Sequence, residues 1–174
     1  MAEDGFEDAV FGAGLPPAAE AALAEAGRLR GTDPAGAMAA LMRASALAPE
    51  HPALLIAFYR HHFYGHRLAA ARGVARRALV VGAQALGLPR VWREVPKAPL
   101  AGTFSDARTR FYLFTLKGYA YLSLRLGDEP EAREALALLR ALDPADHVGG
   151  ALLETVRVRA GRDEEDEPAE AGHG

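Results

Sequence analysis

Cysteine and asparagine are both absent from this chain of 174 residues. Without cysteine there is no disulfide, no thiolate nucleophile and no zinc–thiolate centre. Serine is nearly as scarce, and Ser45, Ser105 and Ser123 are the whole supply. No nucleophile elbow, P-loop or dinucleotide fingerprint occurs, so a non-enzyme without a cofactor is expected. No apolar run approaches the roughly 18 residues that a membrane-crossing helix needs. The opening residues MAEDGFEDAV are acidic and lack the basic-then-apolar order of a secretory signal. A cytoplasmic protein of bacterial type is the simplest expectation. The net charge of −3 supplies no global pull toward nucleic acid or an anionic membrane, and neither is an expected partner.

Hydrophobic residues make up 50% of the chain, enough for one globular core. Proline and glycine divide it into helical lengths, and no stretch alternates well enough to demand a strand. The first helix is predicted from Pro17 to Arg30, with Gly31 as its stop. Asp33 caps the second, which starts at Pro34 and ends before Pro49. The third runs from Pro52 to Tyr64 and the fourth from about His66 to Leu86, ahead of Gly87 and Pro89. A fifth is expected from a Ser105 cap to Gly127, and a sixth from Glu129 to Leu142. A seventh should open at Asp143–Asp146 and reach about Ala160, presenting Val148, Leu152 and Val156 to the core as a terminal cap. The fold class expected is all-α with about seven helices.

Leu126 to Pro144 reads LGDEPEAREALALLRALDP. Ala132 is a small residue early in a helix, Leu136 follows four later, and Pro144 follows eight after that. Ala37, Leu41 and Pro49 repeat the pattern, and Ala71, Ala75 and Ala83 repeat it weakly. Ala37 and Ala71 are 34 residues apart, and Ala71 and Ala132 are 61 apart, one repeat plus 27. These residues resemble the tetratricopeptide repeat, a unit of two helices. The family's early Trp and its Leu-Gly pair are missing from all three copies. The resemblance implies antiparallel helix pairs in a right-handed superhelix over residues 15–161, with an insertion near 87–104. Residues 1–14 and 162–174 are expected to be loose acidic tails. A lesser reading folds the first tail onto the scaffold's own groove. The insertion carries the one tryptophan, Trp92, which either packs the loop down or anchors a partner at the binding edge.

The resemblance also implies a binding surface. In such repeats, set positions of each first helix line a concave face. In this register they are Leu29 and Arg30, then Ile56, Arg60, Phe63 and Tyr64, then Phe114, Lys117, Tyr121, Leu124 and Arg125. The cations would favour an acidic peptide or a C-terminal carboxylate, and the aromatics would take apolar side chains. About half of these rings should pack between repeats instead. Relatives that clamp a carboxylate with asparagine cannot serve as the template, because this chain has none.

Two further clusters compete for attention. In FYRHHFYGHR, Phe58 to Arg67, His62 and His66 stand at metal-ligand spacing with His61 beside them. Gly65 interrupts that helix and no H-E-x-x-H arrangement is present, so structural histidines are favoured over a metal- or ligand-responsive site. Arg67, Arg72, Arg76, Arg77, Arg90 and Arg93 form a basic stripe, read as a solvated helix face. The Phe111–Gly127 helix and FYRHHFYGH also bear a fainter resemblance to small repeat proteins of bacterial nitrogen-fixation gene clusters. That resemblance implies a nitrogenase component or maturation factor as partner, in an adaptor or chaperone-like role.

Overall fold

The computed structural model describes Phe6 and residues 9–166. These form seven α-helices and a 3-10 turn: α1 (Pro17–Leu29), α2 (Pro34–Leu47), α3 (Pro52–Tyr64), α4 (Leu68–Leu86), the turn Trp92–Glu94, α5 (Ala107–Arg125), α6 (Glu129–Leu142) and α7 (Gly150–Asp166). Local chemistry sets most of the ends. The Asp33 carboxylate accepts from the Gly36 N–H at 3.0 Å and starts α2 ahead of Pro34. His51 caps α3 unusually: its Nδ1 accepts from the Ala53 N–H, so Nε2 carries the proton and donates to the Ala13 carbonyl at 2.6 Å. At the end of α4, Gly87 takes φ 68° and the Leu88 N–H turns back to the Ala83 carbonyl. Gly127 does the same at φ 76°, with Asp128 donating to the Ser123 carbonyl.

Short links make α1/α2, α3/α4 and α5/α6 neighbouring pairs. The strongest packing across the middle is α4 on α5, and it runs antiparallel. Arg72 meets Ser123, Arg76 meets Tyr119, Gly82 meets Phe111 and Tyr112, and Arg108 reaches the Ala85 carbonyl. Gly82 allows this approach, because a Cβ there would sit 3.1 Å from the Tyr112 ring. Helix α5 is covered on nearly every side and forms the axis of the core, with Phe111, Tyr112, Leu116, Tyr119 and Leu122 fully enclosed.

The Tyr112 hydroxyl is buried there without a hydrogen-bond partner among the described residues. Burial pushes its pKa up from 10.0 to about 12. The neutral phenol is the form the fold accepts, so its contribution is intact below pH 10 and is lost as pH rises toward 12. In urea titrations between pH 9 and 12, Tyr112→Phe should flatten the alkaline decline.

A second close approach joins α3 to α5. A Cβ on Gly118 would lie 2.7 Å from the Tyr59 hydroxyl oxygen and 3.2 Å from its ring carbon. Gly118→Ala gains about 1 kcal/mol of helix propensity but forces the buried ring aside, which costs about 1–3 kcal/mol. The expected net result is destabilisation. In a Tyr59→Phe background, where the clashing oxygen is gone, the same change should be neutral or stabilising. A double-mutant cycle by urea denaturation measures the coupling.

Four expectations need correction. Asp106, not Ser105, caps α5, accepting from the Arg108 N–H at 2.9 Å; a carboxylate also complements the helix dipole. Helix α4 starts at Leu68, because His66 adopts φ 58° and ends the preceding turn. Helix α7 starts at Gly150, because the buried Asp143 carboxylate is engaged by the Val148 N–H and His147, while Asp146 caps through the Ala151 N–H. Its inward face is therefore Gly150, Leu153 and Arg157, and Leu152 and Val156 stand exposed. The helix continues to Asp166, so the charged run is helical at least that far, and the remainder of that expected tail lies outside the described residues.

The start of the chain also departs from a loose tail. Phe6 is 5% exposed and Ala9 fully covered, while Phe11 packs against the core. Other residues of that expected tail, 1–5, 7 and 8, lie outside the described ones.

Candidate functional site

Helices α1, α3 and α5 are the first members of the three pairs, and their C-terminal turns bring the expected groove residues together. Arg30, just beyond α1, holds its guanidinium 4.9 Å from the centre of the Tyr64 ring at the end of α3. Arg60, one turn back on α3, approaches the same ring at 5.9 Å. Phe63 meets Tyr64 edge-on at 5.8 Å and lies 6.0 Å from Tyr121 on α5. Arg125 closes the row, 5.7 Å over the Tyr121 ring and donating to its hydroxyl at 2.7 Å. The result is a continuous row of rings with cations at both ends.

Burial divides the groove residues by depth. Ile56 and Phe114 are buried in the core, while Phe63, Tyr121 and Leu124 are half-buried against it. Arg30, Tyr64 and Arg125 face outward. Lys117 lies on the same helix, half-buried near the Gly149 turn. Beside Arg30 a cavity of about 180 Å³ opens between α1 and α3, with Leu23, Ala26 and Ala57 as apolar wall and Arg60 and His61 as polar lining. That combination of apolar wall and fixed cations suits a carboxylate on a short apolar stem.

The three histidines do not converge. His61 is buried and meets the His62 ring edge-on at 5.7 Å, whereas His66 is exposed. Arg67 donates to the His62 Nδ1 at 3.2 Å, which places a cation on one of its coordinating nitrogens. Among the described residues no group of three His, Asp or Glu side chains is placed to hold a metal ion. The imidazole of His61 sits below its ordinary pKa of 6.5, first because it is buried and then because Arg67 and Arg30 are near. His62 is lowered likewise by burial, Arg67 and His61. Both rings are thus biased toward the neutral form, and a second positive layer beneath the arginines is avoided.

Trp92 lies elsewhere. It is 9% exposed, packs on Tyr119 at 5.7 Å, and is covered by the Arg93 guanidinium at 4.5 Å. Arg93 is tied to Glu134 at 2.7 Å and to Glu131, which also takes the Tyr119 hydroxyl. The turn around Trp92 bridges α4 and α6, and farther along the linker the Leu100 N–H reaches the Leu142 carbonyl. Trp92 therefore fastens the insertion to the scaffold, away from the arginine–aromatic row.

The basic stripe is a solvated face, as expected: Arg67, Arg76, Arg77, Arg90 and Arg93 are exposed and Arg72 is half-buried, and several of its arginines also find partners within the chain. Arg72 pairs with Asp128 at 3.0 Å, Arg77 with Glu50 at 2.7 Å, and Arg76 reaches Tyr119. Sequence reasoning left Tyr59 out of the row; stacked on Phe63 at 6.0 Å, it extends the rings to Phe6, in line with the lesser expectation for the first tail. The phenylalanines at positions 6 and 11, isolated in an acidic stretch, were the available signal.

The chain is similar to an uncharacterized 19.8 kDa protein from the nifW 5′ region of Azotobacter chroococcum mcd 1, with 38% identity over 115 residues, 65% of this chain and 64% of that protein. The similarity thus spans less than two thirds of that relative's length. No family model matches the chain, and no solved structure does. Among the described residues, no helix is long and apolar enough to cross a membrane.

Proposed function

We propose that this chain is a non-catalytic scaffold of the tetratricopeptide type that holds an acidic segment of a partner protein on its α1/α3/α5 face. The observation carrying this reading is the row Arg30, Tyr64, Phe63, Tyr121, Arg125, which crosses three successive helix pairs. Aromatic and arginine side chains presented on one surface are the residue types that dominate binding energy at protein interfaces. Exposed guanidiniums at both ends favour carboxylates, from acidic side chains or a chain terminus, and the rings between them favour apolar groups. The order of three helix pairs with a covering seventh helix supports the repeat reading. The relative's position in the nifW 5′ region supports a setting in nitrogen fixation, with a nitrogenase component or maturation factor as the cytoplasmic partner.

Affinity capture from a lysate of nitrogen-fixing cells, read by mass spectrometry, tests both parts. Wild-type protein should retain a defined partner, and Arg60→Ala with Arg125→Ala should lose it. Capture unchanged by those substitutions rules out the groove. Capture that recovers no component of the nitrogen-fixation machinery removes the biological setting and leaves the surface to be judged by the variants.

A further inference from the structure

We propose that the N-terminal segment is a resident occupant of the recognition face, displaced when an acidic partner segment carrying an aromatic residue binds. This rests on the α1/α3/α5 face being the recognition surface. The Phe6 ring sits 5.9 Å from Tyr59, 5.6 Å from Phe111 and 6.4 Å from Phe114, and so fills the seam between α3 and α5. Phe11 meets Phe111 edge-on at 5.2 Å, and the Ala13 carbonyl takes the His51 hydrogen bond. Tyr59 then stacks on Phe63, and Phe63 leads to Tyr121 and Arg125. The rings gripped by the segment and the rings of the open groove are one uninterrupted row.

Charge points the same way. The first eight residues contain Glu3, Asp4, Glu7 and Asp8 and no lysine or arginine, while the face offers Arg30, Arg60, Lys117 and Arg125. The chain's own start therefore has the chemistry that the face is suited to bind, an aromatic side chain flanked by carboxylates. A tethered occupant of this kind acts at an effective concentration on the order of millimolar. It would screen out weak acidic peptides and yield to a partner that binds more tightly or covers more of the row.

The absence of cysteine makes a single label site-specific, and Val10 is exposed. A nitroxide on Val10→Cys in the full chain should report an immobilised segment. A synthetic peptide of residues 1–11, added at millimolar concentration, should convert the spectrum to a mobile one. The same peptide with its four acids replaced by amides should need at least tenfold more. In the full chain, Glu3→Gln/Asp4→Asn/Glu7→Gln/Asp8→Asn should raise the mobile fraction and tighten binding of the acidic peptide at least tenfold, by fluorescence anisotropy. A label that stays immobilised while the peptide saturates, or an affinity unchanged by neutralising the four acids, overturns the proposal. Capture with the groove arginines altered is a separate assay. A fixed segment in a protein whose capture still depends on those arginines overturns this inference alone.

Discussion

Trp92→Ala should lower the free energy of unfolding by about 3–5 kcal/mol, the range for removing a large buried aromatic. The side chain is enclosed by Tyr119 beneath and Arg93 above, at the point where the linker bridges α4 and α6. Its loss opens a cavity and also releases the platform on which Arg93 holds Glu131 and Glu134. The exposed Arg93–Glu134 pair adds little alone and Glu131 is the more enclosed partner, but most of the effect is packing. Trp92→Phe should retain much of the stability. Urea denaturation followed by far-ultraviolet circular dichroism is the appropriate readout, since the tryptophan signal disappears with the residue. A change below about 1 kcal/mol, the level of ordinary surface substitutions, would mean that the linker is held by other contacts.

Arg30→Glu combined with Arg125→Glu should weaken partner binding by about a hundredfold or more, taking two charge contacts at roughly 1.4 kcal/mol each. Both side chains are exposed and lie at opposite ends of the aromatic row, so the fold should be unaffected. The effect should shrink as salt rises, because exposed charges are screened over about 8 Å at physiological ionic strength. Titration of the captured partner at two salt concentrations separates this from misfolding. An equal loss at low and high salt would point to damage to the fold instead of lost charge recognition.

The helices were legible because their ends are written in local chemistry. Pro17, Pro34 and Pro52 open helices, and Gly87 and Gly127 close them in the left-handed conformation. The groove row was legible once the spacing of Ala37, Ala71 and Ala132 fixed a register, since residues four apart share a helix face. What escaped was settled by partners distant in the chain. Asp128 lies 56 residues from Arg72, so the ion pair between them could not be read from local spacing. Phe6 stands in an acidic stretch with too few apolar residues to look folded, and only the seam between α3 and α5 gives it a place. Asp143–Pro144 has the composition of a helix start, but burial of the Asp143 carboxylate turned it into the anchor of a loop. Trp92 was legible as something held down, and the side it faces was decided by Tyr119.

A partner seated on the α1/α3/α5 face should leave its footprint on the ends of α1, α3 and α5. Hydrogen exchange by mass spectrometry on the captured complex tests it most directly. Amides from residue 59 to 64 and from 117 to 126, together with those around Arg30, should slow on binding, while the linker around Trp92 and the outer face of α6 should not change. Protection confined to the linker, α6 or α7, with the ends of α3 and α5 unaffected, would contradict it.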